Sequence, residues 1–96
     1  MPITVKAFAT VRDVIGMNGV AKIEVREEIT VEELLRRLSK ELGERFNELV
    51  YDPRKNSLAP GVRILVNGRD IDFLKGLSTT LKEGDTVAII PPIAGG

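Results

Sequence analysis

The segment 30–43, TVEELLRRLSKELG, constrains the fold more than any other part of this 96-residue chain. Its apolar residues recur at helical spacing, which predicts an amphipathic helix with one buried face. Thr30 and Glu33 form a capping box at the start, and Gly43 fits a C-cap. The apolar stripe consists of Val31, Leu34, Leu35, Leu38 and Leu42. A chain of this length has room for one modest core, so this stripe must pack on one other layer.

That other layer is predicted to be a sheet, because several segments alternate apolar and polar residues. Segments 3–9 and 20–27 give two strands, and 62–66 and 86–90 give two more. Asn67-Gly68 is a strong hairpin signal, and it predicts that the segment 69–74, RDIDFL, returns as a short strand. The residues predicted to face the helix in the first two strands are Ile3, Val5, Ala7, Ala21, Ile23 and Val25.

The remaining segments predict short or irregular structure. TVRDVIG fits a single helical turn, with Thr10 as a possible N-cap and Gly16 as its end. Segment 44–50 fits another turn or two of helix. Segment 51–61 is polar and contains two prolines, so we expect a surface loop.

The order of these elements is strand, strand, helix, strand, short strand, strand. This predicts an α+β protein with the β-grasp, or ubiquitin-like, fold: a mixed sheet of four to five strands with the main helix packed on one face. The last strand would insert beside the first and run parallel to it. We expect one β-grasp domain over 1–96, in which residues 91–96 form a projecting C-terminal tail.

The composition excludes most chemistry. The chain has no His and no Cys, so the common general base, thiolate nucleophiles and the usual metal ligands are absent. Fourteen basic residues balance fourteen acidic ones, which gives no field for nucleic acid or an anionic membrane. Neither a signal peptide nor a membrane span is recognisable, so a cytoplasmic location is expected. We expect no bound cofactor and no metal site.

The charged pairs of the sequence are better explained by solvated surface than by catalysis. Acid–base work needs two carboxylates whose environments separate their pKa values, and these pairs lie in turns or at a helix start. They are Glu27-Glu28, Glu32-Glu33 and Asp70/Asp72, together with the basic pair Arg36-Arg37. The chain therefore has no recognisable active site of its own, and any chemistry would be catalysed by a partner.

The last six residues, PPIAGG, are the exception to this lack of chemistry. Pro91 and Pro92 cannot donate ladder hydrogen bonds, so the sheet must end there, and they favour an extended direction. Gly95 and Gly96 have no Cβ and can thread a channel too narrow for other residues. The pattern predicts that the carboxylate of Gly96 is presented to an enzyme that activates it. A frayed, inert end is the alternative.

EGDTVAIIPPIAGG resembles the C-terminal signature of the MoaD/ThiS family of ubiquitin-like sulfur carriers, and Pro-Pro-x-x-Gly-Gly favours its molybdopterin synthase branch. VKAFATVRDVIG and ITVEELLRRL are similar to the family's first strand and helix start. The resemblance implies a small, non-catalytic subunit of that synthase. An E1-like adenylating enzyme would use ATP to activate the Gly96 carboxylate, which becomes a thiocarboxylate and enters the large synthase subunit. A hetero-oligomer is implied.

Several functions stay open at this point. The chain could instead be a ubiquitin-like modifier conjugated to lysines, as some archaeal relatives are, or a carrier for thiamine or tRNA thiolation. A plain binding module with an inert tail is the remaining alternative. Segment 43–60 is longer than in the typical bacterial member of the family.

The strand pattern also predicts a docking surface for these partners. If the inward residues face the helix, Phe8, Leu65 and Ile90 point outward from neighbouring strands near the exit of the tail. Exposed apolar patches commonly mark protein interfaces. The alternative is that the loop 52–61 covers this patch within the monomer.

Overall fold

The computed structural model describes residues 1–92. Its main sheet has five strands in the order β2-β1-β9-β6-β7, and two further pairs, β3-β8 and β4-β5, lie outside it. The strands are β1 Pro2–Ala7, β2 Val20–Glu24, β3 Ile29–Thr30, β4 Tyr51–Asp52, β5 Ser57–Leu58, β6 Arg63–Val66, β7 Arg69–Asp70, β8 Thr80–Leu81 and β9 Thr86–Ile90.

Within residues 1–92, three α-helices and three 3₁₀ turns connect these strands. The helices are α1 Thr10–Ile15, α2 Val31–Leu42 and α3 Glu44–Leu49, and the 3₁₀ turns are Met17–Gly19, Ile71–Phe73 and Gly76–Ser78. Among residues 1–92, no helix combines the length and the apolar character that a bilayer crossing needs.

The register of the main sheet confirms the predicted β-grasp topology. β9 lies between β1 and β6, and it runs parallel to β1, with Val5 opposite Val87. All other neighbours in this sheet are antiparallel. The last strand in sequence is therefore the central strand in space.

The helix α2 covers the inner face of the sheet, as its sequence predicts. Its capping box forms: Glu33 N donates to Thr30 Oγ1 at 3.1 Å, and Thr30 N donates to Glu33 Oε1 at 3.0 Å. Leu42 is half-buried, and the other four residues of its apolar stripe are buried. They pack with the inward residues of the strands, including Val5, Val87 and Ile89, in one core.

Two local predictions need correction. Thr10 is not an N-cap but the first residue of α1, and the cap position is held by Ala9, whose φ is 51° and which makes no side-chain cap bond. In segment 69–74 the return strand β7 is two residues long. The chain then turns into the 3₁₀ helix Ile71–Phe73, because the Asp70 side chain accepts a hydrogen bond from Asp72 N and caps it.

Within the longer segment 43–60, the predicted helix forms as α3, but the part from Tyr51 onward, expected as a surface loop, is more ordered than predicted. The segment contains α3 and the hairpin β4–β5, and Phe46, Val50 and Tyr51 are fully buried in the core. The Tyr51 hydroxyl donates to Asn56 Oδ1, and the Arg36 guanidinium lies 5.8 Å from the centroid of the Tyr51 ring. The segment is therefore an added part of the core, held against α2, and not a bare surface loop.

Candidate functional site: the outer sheet face and the tail exit

The three residues predicted to dock a partner are expected on the face of the sheet opposite α2. Ala7 pairs with Ile89, so the next residues along these parallel strands are Phe8 and Ile90. Ile90 pairs in turn with Arg63 on β6, and Leu65 is two residues further along that strand. Phe8 is 48% exposed, and Leu65 and Ile90 are half-buried. The register thus places Leu65 and Ile90 on one face, Phe8 is exposed directly after β1, and the role of all three in docking stays a prediction.

The hairpin β4–β5 lies on the helix side of the molecule. Asn56 Nδ2 donates to Glu32 Oε1 at 3.2 Å, and Arg36 Nη1 donates to Pro53 O at 3.4 Å. Both partners belong to α2, which packs on the inner face of the sheet. Since Pro53 and Asn56 of the predicted loop 52–61 are tied to α2 and Phe8 stays 48% exposed, this hairpin does not cover Phe8.

The chain leaves the sheet where the prolines begin. β9 ends at Ile90, as expected because prolines cannot donate ladder hydrogen bonds. Pro91 is nevertheless buried, and Pro92 packs so closely on Gly61 that a Cβ added there would lie 2.8 Å from Pro92 Cβ. Pro91 therefore does not project, whereas Pro92 is exposed, and projection of the tail beyond Pro91 stays a prediction. Gly95 and Gly96 lie outside the described residues.

The acidic pairs serve local structure, in agreement with their interpretation as surface residues. Asp70 Oδ2 accepts from Arg63 Nε at 2.9 Å, and Asp70 Oδ1 accepts from Asp72 N at 2.9 Å. That backbone N–H, with a smaller effect of Arg63, lowers the pKa of Asp70 below its usual value. Glu33 caps α2. Within residues 1–92, no group of three or more Asp or Glu residues is placed to hold a metal ion.

Sequence reasoning missed one exposed aromatic residue beside the predicted patch. Phe73 is 78% exposed at the end of the 3₁₀ helix that follows β7. It borders an open hollow of about 630 Å³. The hollow is lined by Arg63, Leu65, Gly68, Arg69, Asp70, Phe73 and Ile90. The alternating letters of IDF suggested a strand, in which Phe73 would share the face of buried Ile71; the 3₁₀ turn separates them.

A β-grasp sheet whose central, final strand leads into Pro-Pro-x-x-Gly-Gly defines a ubiquitin-like protein of the sulfur-carrier and modifier class. The model of the ThiS family matches residues 5–96, and the chain belongs to this family.

The chain is similar both to proteins named as modifiers and to proteins named as sulfur carriers. The chain is 35% identical over 96 residues to the small archaeal modifier protein 3 of Haloferax volcanii, with all of each chain covered. It is 37% identical over 70 residues to a provisionally named sulfur carrier protein of Archaeoglobus fulgidus, covering 73% of this chain and 77% of the relative. A solved Pyrococcus furiosus structure is provisionally named molybdopterin converting factor subunit 1. It has a TM-score of 0.72 to this chain at 32% identity, and the match covers 97% of this chain and 99% of the other.

Proposed function

We propose that the chain carries sulfur on the carboxylate of Gly96. The observation that carries this proposal is the central position of β9, which leads into the buried Pro91 next to the half-buried Ile90. Such a body presents a terminal group to other proteins. The residues described here build caps, turns and core, and we assign the catalysis to partner enzymes.

The proposed chemistry begins with an E1-like adenylating enzyme. An oxygen of the Gly96 carboxylate attacks the α-phosphorus of ATP, pyrophosphate leaves, and an acyl-adenylate forms. Sulfide (HS⁻) released by a donor then attacks the carbonyl carbon of the acyl-adenylate, AMP leaves with the electrons of the broken C–O bond, and a thiocarboxylate remains on Gly96 after loss of the proton. Gly95 serves as the thin part of the tail that enters the narrow channel of the enzyme, because it has no Cβ.

The outer face of the sheet is the proposed docking surface. Phe8, Leu65 and Ile90 would lie against the adenylating enzyme first and the acceptor later, since both must approach the same tail. Pro91 and Pro92 fix the direction in which the chain leaves this face, because Pro92 is packed on Gly61.

For the acceptor we propose the large subunit of molybdopterin synthase, in a hetero-oligomer that uses the sulfur to build the dithiolene of molybdopterin. The likeness to the Pyrococcus furiosus protein supports this step. All of these reactions would take place in the cytoplasm.

A second candidate function is that of a protein modifier. The full-length match to the Haloferax volcanii modifier favours it. In that case a lysine amine of another protein attacks the activated carboxylate of Gly96, AMP leaves, and an isopeptide bond forms. Both functions share the adenylation step and differ in the nucleophile that follows.

The intact mass of the protein purified from its own cells tests the proposal. A mass increase equal to replacement of one oxygen by sulfur, located on Gly96 by fragmentation, supports the carrier. Adducts that join Gly96 to lysines of other proteins support the modifier. The control is a chain that lacks Gly96, which should show neither product. An unmodified Gly96 that also resists ATP-dependent activation by the E1-like enzyme contradicts both functions.

A further inference from the structure

Phe73 is held in its exposed position by a well-built turn. Asp70 caps the 3₁₀ helix Ile71–Phe73, and both of its carboxylate oxygens are hydrogen-bonded. Ile71, the first residue of the helix, is buried in the core and anchors it. Because the start of this short turn is fixed by Asp70 and Ile71, the backbone carries Phe73 away from the core and its side chain is left 78% exposed. A preorganised apolar group costs little conformational entropy on binding.

The hollow beside Phe73 is continuous with the proposed docking surface. Leu65 and Ile90 belong to both, so a protein that covers the outer face of the sheet also reaches the hollow. Phe73 extends this apolar surface beyond β6, past the short edge strand β7. Aromatic residues next to a pocket are common energetic centres of interfaces.

The residues that line the hollow include two basic side chains, Arg63 and Arg69, and one acidic side chain, Asp70. Arg63 is paired with Asp70 at 2.9 Å. Arg69 is exposed, and within residues 1–92 it forms no ion pair and no side-chain hydrogen bond. One positive charge therefore remains beside an apolar hollow. This combination is complementary to a carboxylate that stands next to an apolar side chain.

We infer that this hollow is a second anchor point for the adenylating enzyme, which inserts an apolar side chain against Phe73 and pairs a neighbouring carboxylate with Arg69. The inference rests on the proposed function for the identity of the partner. It assigns to Phe73 and Arg69 a recognition role separate from that of the tail, since neither residue lies on the path from β9 to Gly96.

The test is the affinity of the adenylating enzyme for the full chain and for two variants. Phe73→Ala should weaken binding by about tenfold or more, the effect of losing an interface anchor. Arg69→Glu should weaken it as well, and this loss should shrink at high salt because salt screens the repulsion. The matched controls are Met17→Ala, which removes a side chain 81% exposed before the opposite edge strand, and Lys40→Glu on α2, which covers the other face of the sheet. Thermal unfolding checks that all four variants fold.

The same measurement on a chain without Gly96 separates this inference from the proposed function. If that chain still binds and binding still depends on Phe73, the anchor is supported even where adenylation of the full chain fails. Equal affinities for Phe73→Ala, Arg69→Glu and the controls overturn the anchor while adenylation of Gly96 stands. Absence of binding by the full chain overturns it too. Self-association that Phe73→Ala abolishes would assign the hollow to a second copy, which also overturns it.

Discussion

Gly61 is the residue on which the start of the tail rests. Its φ is 80°, in the left-handed region, and the missing Cβ leaves the space that Pro92 occupies. Two separate properties of glycine are thus used at one position, conformational freedom and small size. Gly84 shares only the first property: its φ is 84°, and nothing lies within 4 Å of the place where a Cβ would be.

Comparison of Gly61→Ala with Gly84→Ala should measure this contact. Both variants incur roughly 1–2 kcal/mol for an L residue in the left-handed region. Gly61→Ala should lose more, because its Cβ would lie 2.8 Å from Pro92 Cβ and displace the start of the tail. Chemical denaturation gives the free energies of unfolding. Equal losses would show that Pro92 does not depend on the space at Gly61.

Asp70 should make part of the stability dependent on pH. Its pKa is lowered from 3.8 in the folded chain, first by the hydrogen bond from Asp72 N. A group with a lowered pKa stabilises the fold fully above its unfolded pKa and loses this contribution as the pH falls through the folded pKa. The difference in unfolding free energy between wild type and Asp70→Asn should therefore shrink below pH 3.8.

The control for this pH dependence is Asp13→Asn on α1, a residue whose carboxylate makes no hydrogen bond within residues 1–92. This variant removes one carboxylate without removing a hydrogen bond within that range. A difference between wild type and Asp70→Asn that stays constant down to pH 2 would contradict the assigned role of Asp70.

At the level of elements, long periodic segments were predictable and two-residue strands were not. The stripe of α2 and the alternation in β1, β2, β6 and β9 each repeat over several residues, so the pattern identifies the element. β3, β4, β5 and β8 are two residues long and cannot show a period. Tyr51 joined the core against expectation because it begins a largely polar segment, 51–57, and tertiary packing decided its burial.

The residues of the candidate site also differ in how well the sequence predicts them, depending on whether they lie in a regular strand. Phe8, Leu65 and Ile90 could be placed on the outer face because they lie in or directly after alternating strands. Phe73 could not, since the chain leaves the strand geometry at Ile71 and the side-chain period changes there. The packing of Pro92 on Gly61 joins two segments that are far apart in sequence, so a local sequence pattern cannot predict this contact.

The helix α2 offers a prediction about packing on the sheet. Leu35→Ala should cost about 2–5 kcal/mol of unfolding free energy, because Leu35 is fully buried and the cavity it leaves cannot close. Leu42→Ala, on the same stripe but half-buried, is the matched control and should cost clearly less. Urea unfolding of both variants provides the values. A similar loss for the two would mean that the stripe is not packed as described.

For the whole molecule, the central position of β9 determines which residues near the C-terminus are needed for folding. β9 supplies Val87 and Ile89 to the core and bonds to β1 on one side and β6 on the other. Removal of this strand would split the sheet into two parts, β2-β1 and β6-β7, that no longer touch by hydrogen bonds. We therefore expect that residues after Pro92 can be removed without loss of the fold, although the function proposed for the tail would be lost.

Two truncations should show this boundary. A chain that ends at Pro92 should unfold cooperatively with a midpoint close to that of the full chain, although it lacks the carboxylate of Gly96. A chain that ends at Asp85 lacks β9 and should not fold, because its remaining strands cannot close the core. Far-ultraviolet circular dichroism during heating distinguishes the two. Cooperative unfolding of the shorter chain would refute the central role of β9.

The parallel pairing of β1 and β9 also determines how the molecule resists mechanical force. A partner that grips the chain beyond Pro92 and pulls while the outer face is docked would load β9 along its own axis. The hydrogen bonds to β1 and β6 then bear the load in shear, all at once, and cannot be opened one by one as in a peeled edge strand. A protein handled by its tail in this way should withstand pulling at that end far better than at its edge strand β2.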